Sequence, residues 1–311
     1  MKTILKSLSV GVLSLASLGA LSTPAIASSL TGATIGGSAP NDYLVYDANA
    51  TNTFVVPSTF ANVQTVLSGN AANPTGNVEL RAASEQAGFD FTKNTTLSGA
   101  IAGKSLTLSS LTASDWATTD YNGSGKTFGR YWFDSALAQA LTFNNVPLPV
   151  NFGNTVNNLL FNAFVANKGF ERFSDPNISY VNQSADGVVA IGLAGHYNAL
   201  SVLFNSNTIN ALPPLVQPVV QAVISNQNLL AQVSEVVKYS YDDGNQTGYL
   251  YSFNATPSNL VALDDGRSHS GNYEVTFQGA KPVPVPAGFV GIALAGAIGG
   301  RMIKRRKSFT T

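Results

Sequence analysis

His196 and His269 are the only imidazoles in the chain, and cysteine is absent. With neighbouring serines and aspartates they could be assembled into a hydroxyl–imidazole–carboxylate set for nucleophilic hydrolysis. In such a set the base lies within hydrogen-bond reach of the hydroxyl and a third group orients it. His196 stands in the strand-like run Gly195-His196-Tyr197-Asn198, and His269 in a Ser/Gly loop. No Gly-x-Ser-x-Gly elbow accompanies either one. Both therefore read as partly buried or surface histidines, and no catalytic residue is assigned. A deep cleft holding paired carboxylates, or His196 with His269, would favour an enzyme instead.

Other chemistry-bearing residues are equally sparse. Gly103-Lys104-Ser105 matches the end of a phosphate loop, but the motif needs glycine at position 98, which is Ser98. The pairs Asp242, Asp243 and Asp264, Asp265 are weak calcium candidates. They offer oxygen ligands without the alternating spacing of an EF-hand loop. Asp-Asp-Gly is also ordinary turn chemistry, since Gly supplies positive φ and Asp tolerates it. No metal or cofactor is expected. Tyr131 and Trp132, or the set Tyr239, Tyr241, Tyr249 and Tyr251, could stack on sugars. Alternate tyrosines in a hairpin face opposite sides, so some of these belong to a core.

The elements that must position these residues are mostly strands. Thr96–Leu111 reads as a hairpin around Gly103-Lys104, Glu235–Ala255 as a hairpin around Asp242-Asp243-Gly244-Asn245, and Asp186–Ala199 and Asn272–Gly279 as single strands. Helix signals are fewer. Ser58 is read as the cap of a helix with Phe60, Val63 and Leu67 on one face and Gly69 as its stop. A second helix starts at Asp134 or Ser135, and a third places Val156, Leu159, Leu160 and Ala163 at helical spacing and stops at Gly169. Leu212–Val233 reads as two short helices broken near Pro218. The fold expected is α+β and strand-rich, an antiparallel sheet or sandwich with several short helices. A second domain after about Asn205 is the alternative.

Charge divides the chain into three. Only 11% of the 311 residues are charged, against about 25% in an ordinary soluble domain. Residues 28–279 hold 9 basic and 17 acidic side chains, net −8, while both ends are basic and apolar. A body of that sign excludes nucleic acid as a partner, because phosphate binding draws on clustered cations.

The front, residues 1–27, has the parts of a secretory signal: Lys2 and Lys6, an apolar Val10–Leu21, Pro24, and the small-x-small site Ala25-Ile26-Ala27. Cleavage is expected between Ala27 and Ser28, by signal peptidase after Sec export. An uncleaved anchor is disfavoured because the apolar run is short for a span.

The rear, residues 280–311, begins with a neck in which Pro282, Pro284 and Pro286 impose an extended backbone. Ala287 to Gly300 is an uncharged run of 14 residues, about 21 Å long as a helix against a hydrocarbon core of about 30 Å. Small residues recur at Ala287, Gly291, Ala295 and Gly299, a stripe that lets another membrane helix approach. Lys304, Arg305, Arg306 and Lys307 follow as a basic stop that stays on the cytoplasmic side. A marginal span between an extended neck and a basic end describes a processing signal better than a permanent anchor.

That order, Val283-Pro284-Val285-Pro286-Ala287, then a Gly/Ala-rich helix, then Arg305-Arg306, resembles the PEP-CTERM sorting domain. Val285 stands where the usual motif has glutamate, as in variants with an apolar middle residue. The resemblance implies export, transient residence in the inner membrane, handling by exosortase (a membrane cysteine transpeptidase), and delivery to the cell surface or extracellular matrix. The segments "NDYLVYDANATNTFVVP", "GFERFSDPNISYVNQ", "IGLAGHYNA" and "HSGNYEV" resemble a family of cyanobacterial PEP-CTERM proteins, over most of 28–279. That likeness implies no activity. The expectation is a non-enzymatic surface or matrix protein. A secreted carbohydrate-binding module or hydrolase acting on exopolysaccharide is the alternative.

Overall fold

Strand alternation organises the chain into two sheets. The computed structural model describes residues 26–143, 154–225 and 230–282. The signal sequence up to Ala25, the motif Val283, Pro284, Val285, Pro286, the stripe Ala287, Gly291, Ala295, Gly299 and the basic stop Lys304, Arg305, Arg306, Lys307 lie outside the described residues. The first stretch carries β1 (Ile26–Ser29), β2 (Thr31–Gly37), β3 (Tyr43–Ala48), β4 (Asn52–Val56), α1 (Phe60–Val66) and β5 (Gly76–Leu80). It continues with β6 (Thr95–Ile101), β7 (Lys104–Ser109), α2 (Ala113–Trp116) and α3 (Phe128–Phe143). The second holds α4 (Asn154–Ala166), β8 (Asn177–Ser184), β9 (Val188–Gly195), α5 (Leu200–Leu203), α6 (Ser206–Asn210) and α7 (Gln217–Ile224). The third holds β10 (Val237–Tyr241), β11 (Gln246–Leu250), β12 (Thr256–Pro257), β13 (Val261–Ala262) and β14 (Gly271–Gln278). The fold is α+β and strand-rich.

The larger sheet runs β12-β14-β9-β8-β5-β3-β4-β13, with β1 added to β8, and the smaller runs β11-β10-β7-β6-β2. Neighbours are antiparallel except β13 with β4. β14 shows why these residues make strands: Tyr273, Val275 and Phe277 are buried while Glu274, Thr276 and Gln278 are exposed. Aliphatic side chains of both sheets, among them Val45, Val78, Ile178 and Ile191 with Leu97, Leu106 and Leu108, form one core. A second core is aromatic and belongs to the helices, with Trp116, Phe128, Trp132, Phe133, Phe164 and Phe173.

The larger sheet curls. Its two edge strands, β12 and β13, are joined by only three residues, Ser258 to Leu260. That chain spans at most about 14 Å, so the edges approach one another and the sheet wraps around an interior. Gly76 sits in this wall with φ +135, where a Cβ would stand 2.1 Å from the Tyr46 carbonyl oxygen. Gly76→Ala is expected to cost about 3 kcal/mol, read as a lower urea midpoint at pH 7. A variant as stable as the parent would contradict this close approach.

Several sequence expectations need correction. The cap of α1 is Thr59, whose side chain accepts from the Asn62 amide, not Ser58. Val63 and Leu67 are buried as expected and Val66 joins them, but Phe60 is exposed. α3 begins at Phe128, where the Thr127 hydroxyl accepts from the Arg130 amide, and Asp134 lies inside the helix, paired with Lys126 and Arg130. Pro218 does not break a helix. It lies in the first turn of α7, where its missing N–H has no helical partner to lose. Nor is there a separate unit after Asn205, since β10 and β11 complete the smaller sheet and β14 the larger.

The two ends of the body meet. Ser28 Oγ donates to Gln183 Oε1 at 3.4 Å, and Gln183 Nε2 donates to the Ala280 carbonyl at 2.7 Å. The Ala280 amide in turn donates to the Tyr241 hydroxyl at 3.0 Å.

Candidate functional site

Several polar residues border the interior of the curled sheet, although the surface left free there is almost wholly apolar. Thr53 of β4, Asn77 of β5, Ser179 of β8 and Asn272 of β14 all reach one small cavity, with His269 and Ser258 from the segment between β12 and β14. That segment stoppers the curl. The Ser258 amide donates to the Ser270 carbonyl at 3.0 Å, and the Ala262 amide to the Ser268 carbonyl at 3.0 Å. His269, near its end, takes the left-handed conformation with φ +63, a conformation that costs free energy in any residue other than glycine.

What holds His269 there is a directed chain of hydrogen bonds. The backbone amide of Asn177 donates to Glu235 Oε2 at 2.8 Å, and its side-chain Nδ2 donates to the same carboxyl at 3.3 Å. Asn177 Oδ1 is therefore the acceptor that faces His269 Nε2, at 3.2 Å. With the proton on Nε2, His269 Nδ1 accepts from the Thr53 hydroxyl at 2.7 Å. The Tyr46 ring meets the imidazole edge-on, with centroids 4.7 Å apart. Burial pushes the imidazole pKa down to about 4, so the ring is neutral at physiological pH.

Hydroxyl, imidazole and amide stand in the order used by base-activated nucleophiles. Here the order is buried. Thr53 is 1% exposed and His269 is 3% exposed, and the cavity beside them leaves about 10 Å³ for the centre of a water-sized guest. No acyl group or sugar ring reaches Thr53 through such a space. In this geometry the chain pins the stopper to the sheet.

Behind Asn177 lies a group of carboxyls. Burial pushes Glu235 up to about 8 and Glu79 up to about 7. Asp175 is raised well above the usual carboxylate range by burial and then by the Glu235 charge. Ser84 donates to Asp175 Oδ2, while Tyr46, on the same wall, donates to Asp264 at 2.8 Å. Raised carboxyls are the currency of general acids, but none of these three lines the cavity.

The residues singled out by sequence fall into separate places. His196 Nε2 lies 3.4 Å from Ser268 Oγ, and Ser268 gives its single proton to Asp265. The hydroxyl thus has no proton for His196 to remove, although burial keeps the ring below its ordinary pKa. Asp242 pairs with Lys104 at 2.8 Å and Asp243 accepts from Ser105 at 2.7 Å, both at the β10–β11 turn. Asp265 also accepts from the amides of Arg267 and Ser268. The two acidic pairs do not converge, and among the described residues no three His, Asp or Glu side chains group as metal ligands. Trp132 and Tyr241 are core residues, 0% and 1% exposed. Tyr239 stacks on Phe277 and Tyr249 on Phe128, so each gives one ring face to the protein.

Thr53, Asn177, Glu235, Glu79 and Asp175 carried no sequence signal. His269 meets Thr53 across 216 residues and Asn177 across 92. Comparison with protein-family models, with curated proteins and with solved structures finds no match.

Proposed function

We propose that this chain is an exported surface or matrix protein, released from the inner membrane by an exosortase-type transpeptidase, and that its body works by structure and contact rather than catalysis. The observation that carries this reading is the arrangement of the ends. Body pairing runs from Ile26, which lies opposite Ser184 so that β1 begins two residues before the expected cut, to Ala280, and the basic, apolar tails extend from those two ends. The signal sequence and the proline neck therefore leave from one corner of one folded body. The buried Thr53–His269–Asn177 chain supports the non-catalytic half, since the free space beside the best-ordered nucleophile geometry is only about 10 Å³ for a guest's centre.

Exopolysaccharide is the partner class that suits this location. The half-buried Tyr121, Tyr131, Tyr249 and Tyr251, which cluster beside the aromatic core, are the groups that would stack on it. The deciding experiment is cell fractionation with terminal mass spectrometry, in wild-type cells and in cells lacking exosortase. The expected outer or extracellular species starts at Ser28 and lacks the basic end. Recovery of the intact tail in the inner membrane of wild-type cells would overturn the sorting reading, and it would show that Val285 is not accepted in the motif.

A further inference from the structure

We propose that Tyr121 is a site of oxidative cross-linking, coupled through its ring to Tyr131 or Tyr249. Between residues 28 and 279 the chain holds neither cysteine nor methionine, since Met1 and Met302 lie in the tails. The sulfur side chains that ordinarily take up oxidising equivalents are therefore missing from the body. Both tryptophans, Trp116 and Trp132, are core residues. Phenol rings are then the oxidisable groups that a reagent in solvent meets first.

Of the eleven tyrosines, Tyr46, Tyr180, Tyr241 and Tyr273 are buried, and Tyr239 lies against Phe277. Tyr121, Tyr131 and Tyr249 are half-buried and meet one another. The Tyr121 ring stands edge-on to Tyr131, with centroids 5.2 Å apart, and lies 6.2 Å from Tyr249. The local backbone holds Tyr121 in that place. Asp120 and Asn122, on either side of it, take the left-handed conformation with φ 50 and 53. The Tyr121 amide donates to the Lys126 carbonyl at 3.0 Å. The turn lays Tyr121 against Phe128 at the start of α3, with centroids 4.7 Å apart, and Tyr131 follows one turn along that helix.

A phenol gives up its proton when it loses an electron, so an acceptor at the hydroxyl favours the step. The Tyr249 hydroxyl donates to Asp115 Oδ1 at 3.0 Å. The oxidant is hydrogen peroxide acting through a haem peroxidase, and each of two tyrosines yields one electron and one proton to it. The two phenoxyl radicals join through ring carbons beside the hydroxyls. The hydrogens on those carbons move to the oxygens and restore both phenols. One peroxide becomes two waters, and the protein is lighter by two hydrogens. Rings already held side by side couple within the chain before they meet another molecule. The new bond staples the Tyr121 loop to α3 or to β11. It needs no glycan, so its formation is tested separately from sugar stacking on the same rings.

The test uses the purified full chain at high dilution, treated with hydrogen peroxide and a haem peroxidase. The monomer is expected to lose two hydrogens and to gain the blue fluorescence of dityrosine. Trypsin separates the partners. Ser105–Lys126 holds Tyr121 as its one tyrosine, Tyr131–Lys168 holds Tyr131 alone, and Tyr239–Arg267 holds Tyr249. The first peptide joined to either of the others supports the assignment. Tyr121→Phe is expected to lower the fluorescence about tenfold, and Tyr43→Phe to leave it unchanged, with circular dichroism as the check on folding. An oxidised monomer without a cross-link, coupling only between chains, or cross-linked peptides that exclude Tyr121 would overturn the proposal. So would parent-level fluorescence in a folded Tyr121→Phe, or an equal loss in Tyr43→Phe. Should Tyr121→Phe not fold, the peptide map of the oxidised parent decides.

Discussion

Glu235→Gln is expected to stabilise the body by about 2 kcal/mol at pH 8.5 and to leave stability at pH 4.5 almost unchanged. Burial raises the Glu235 carboxyl from 4.5 to about 8 in the folded protein. The folded state therefore keeps a proton that the unfolded chain releases above pH 4.5. Stability is lost as pH rises through that window, and the loss is complete above about 8. The full linkage would approach about 5 kcal/mol at ~1.4 kcal/mol per pH unit. Glu235 is half-buried, and solvent reduces such a figure substantially, hence the smaller expectation. Glutamine keeps an acceptor for the Asn177 amide and carries no charge. His269 acts in the opposite sense. Held down to about 4 from 6.5, it removes stability as pH falls through that interval. Urea titrations at pH 4.5 and 8.5 measure both slopes. A variant with the parent's loss between those two values would show that Glu235 ionises freely in the fold.

Trp132→Ala is expected to cost about 4 kcal/mol, a large part of the stability of an ordinary domain. Trp132 is 0% exposed and packs against Trp116, Phe164 and Phe173, with centroids 5.3, 6.1 and 4.8 Å away. Trp132→Phe should cost only about 1 kcal/mol, because the indole nitrogen has no acceptor and its removal relieves a buried, unpaired N–H. Trp116 is the internal control. Its indole nitrogen donates to Ser174 Oγ at 2.7 Å, so Trp116→Phe loses a real bond and should cost more than Trp132→Phe. Denaturation followed by far-ultraviolet circular dichroism ranks the three variants. If Trp132→Phe proved the costlier of the two phenylalanine changes, the packing account of the aromatic core would fail.

Local chemistry made the hairpins legible. Gly103 and Asp242-Asp243-Gly244 adopt positive φ where Gly and Asp at the turns announced it, although the first turn is Ala102-Gly103 rather than Gly103-Lys104, because Lys104 already pairs with Ile101. α3 was harder, because Phe128, Tyr131, Trp132 and Phe133 follow one another closely and resemble a strand. Their helical grouping emerges only when Trp116, Phe164 and Phe170 close around them. The chain around His269 could not be read at all. Thr53, Asn177 and Glu235 are ordinary residues in their own segments, and the curl of the sheet is what brings them to one ring. Whether a buried histidine is neutral, and which hydroxyl it meets, are properties of tertiary contact that leave no spacing in the sequence.

The corner where the body begins and ends has a mechanical consequence. Ser28 and Ala280 share the Gln183 side chain. A force applied between the two tails, while both are attached, is carried by that corner and bypasses both cores. The Ile26–Ser184 pair and the bonds of Gln183 to Ser28 and Ala280 are the first to bear load, and the strands behind them unzip one pair at a time rather than shear. The same proximity means that the two ends can be spliced by a short linker and new ends opened elsewhere, for instance at the Ala102-Gly103 turn, with every strand pairing described above preserved.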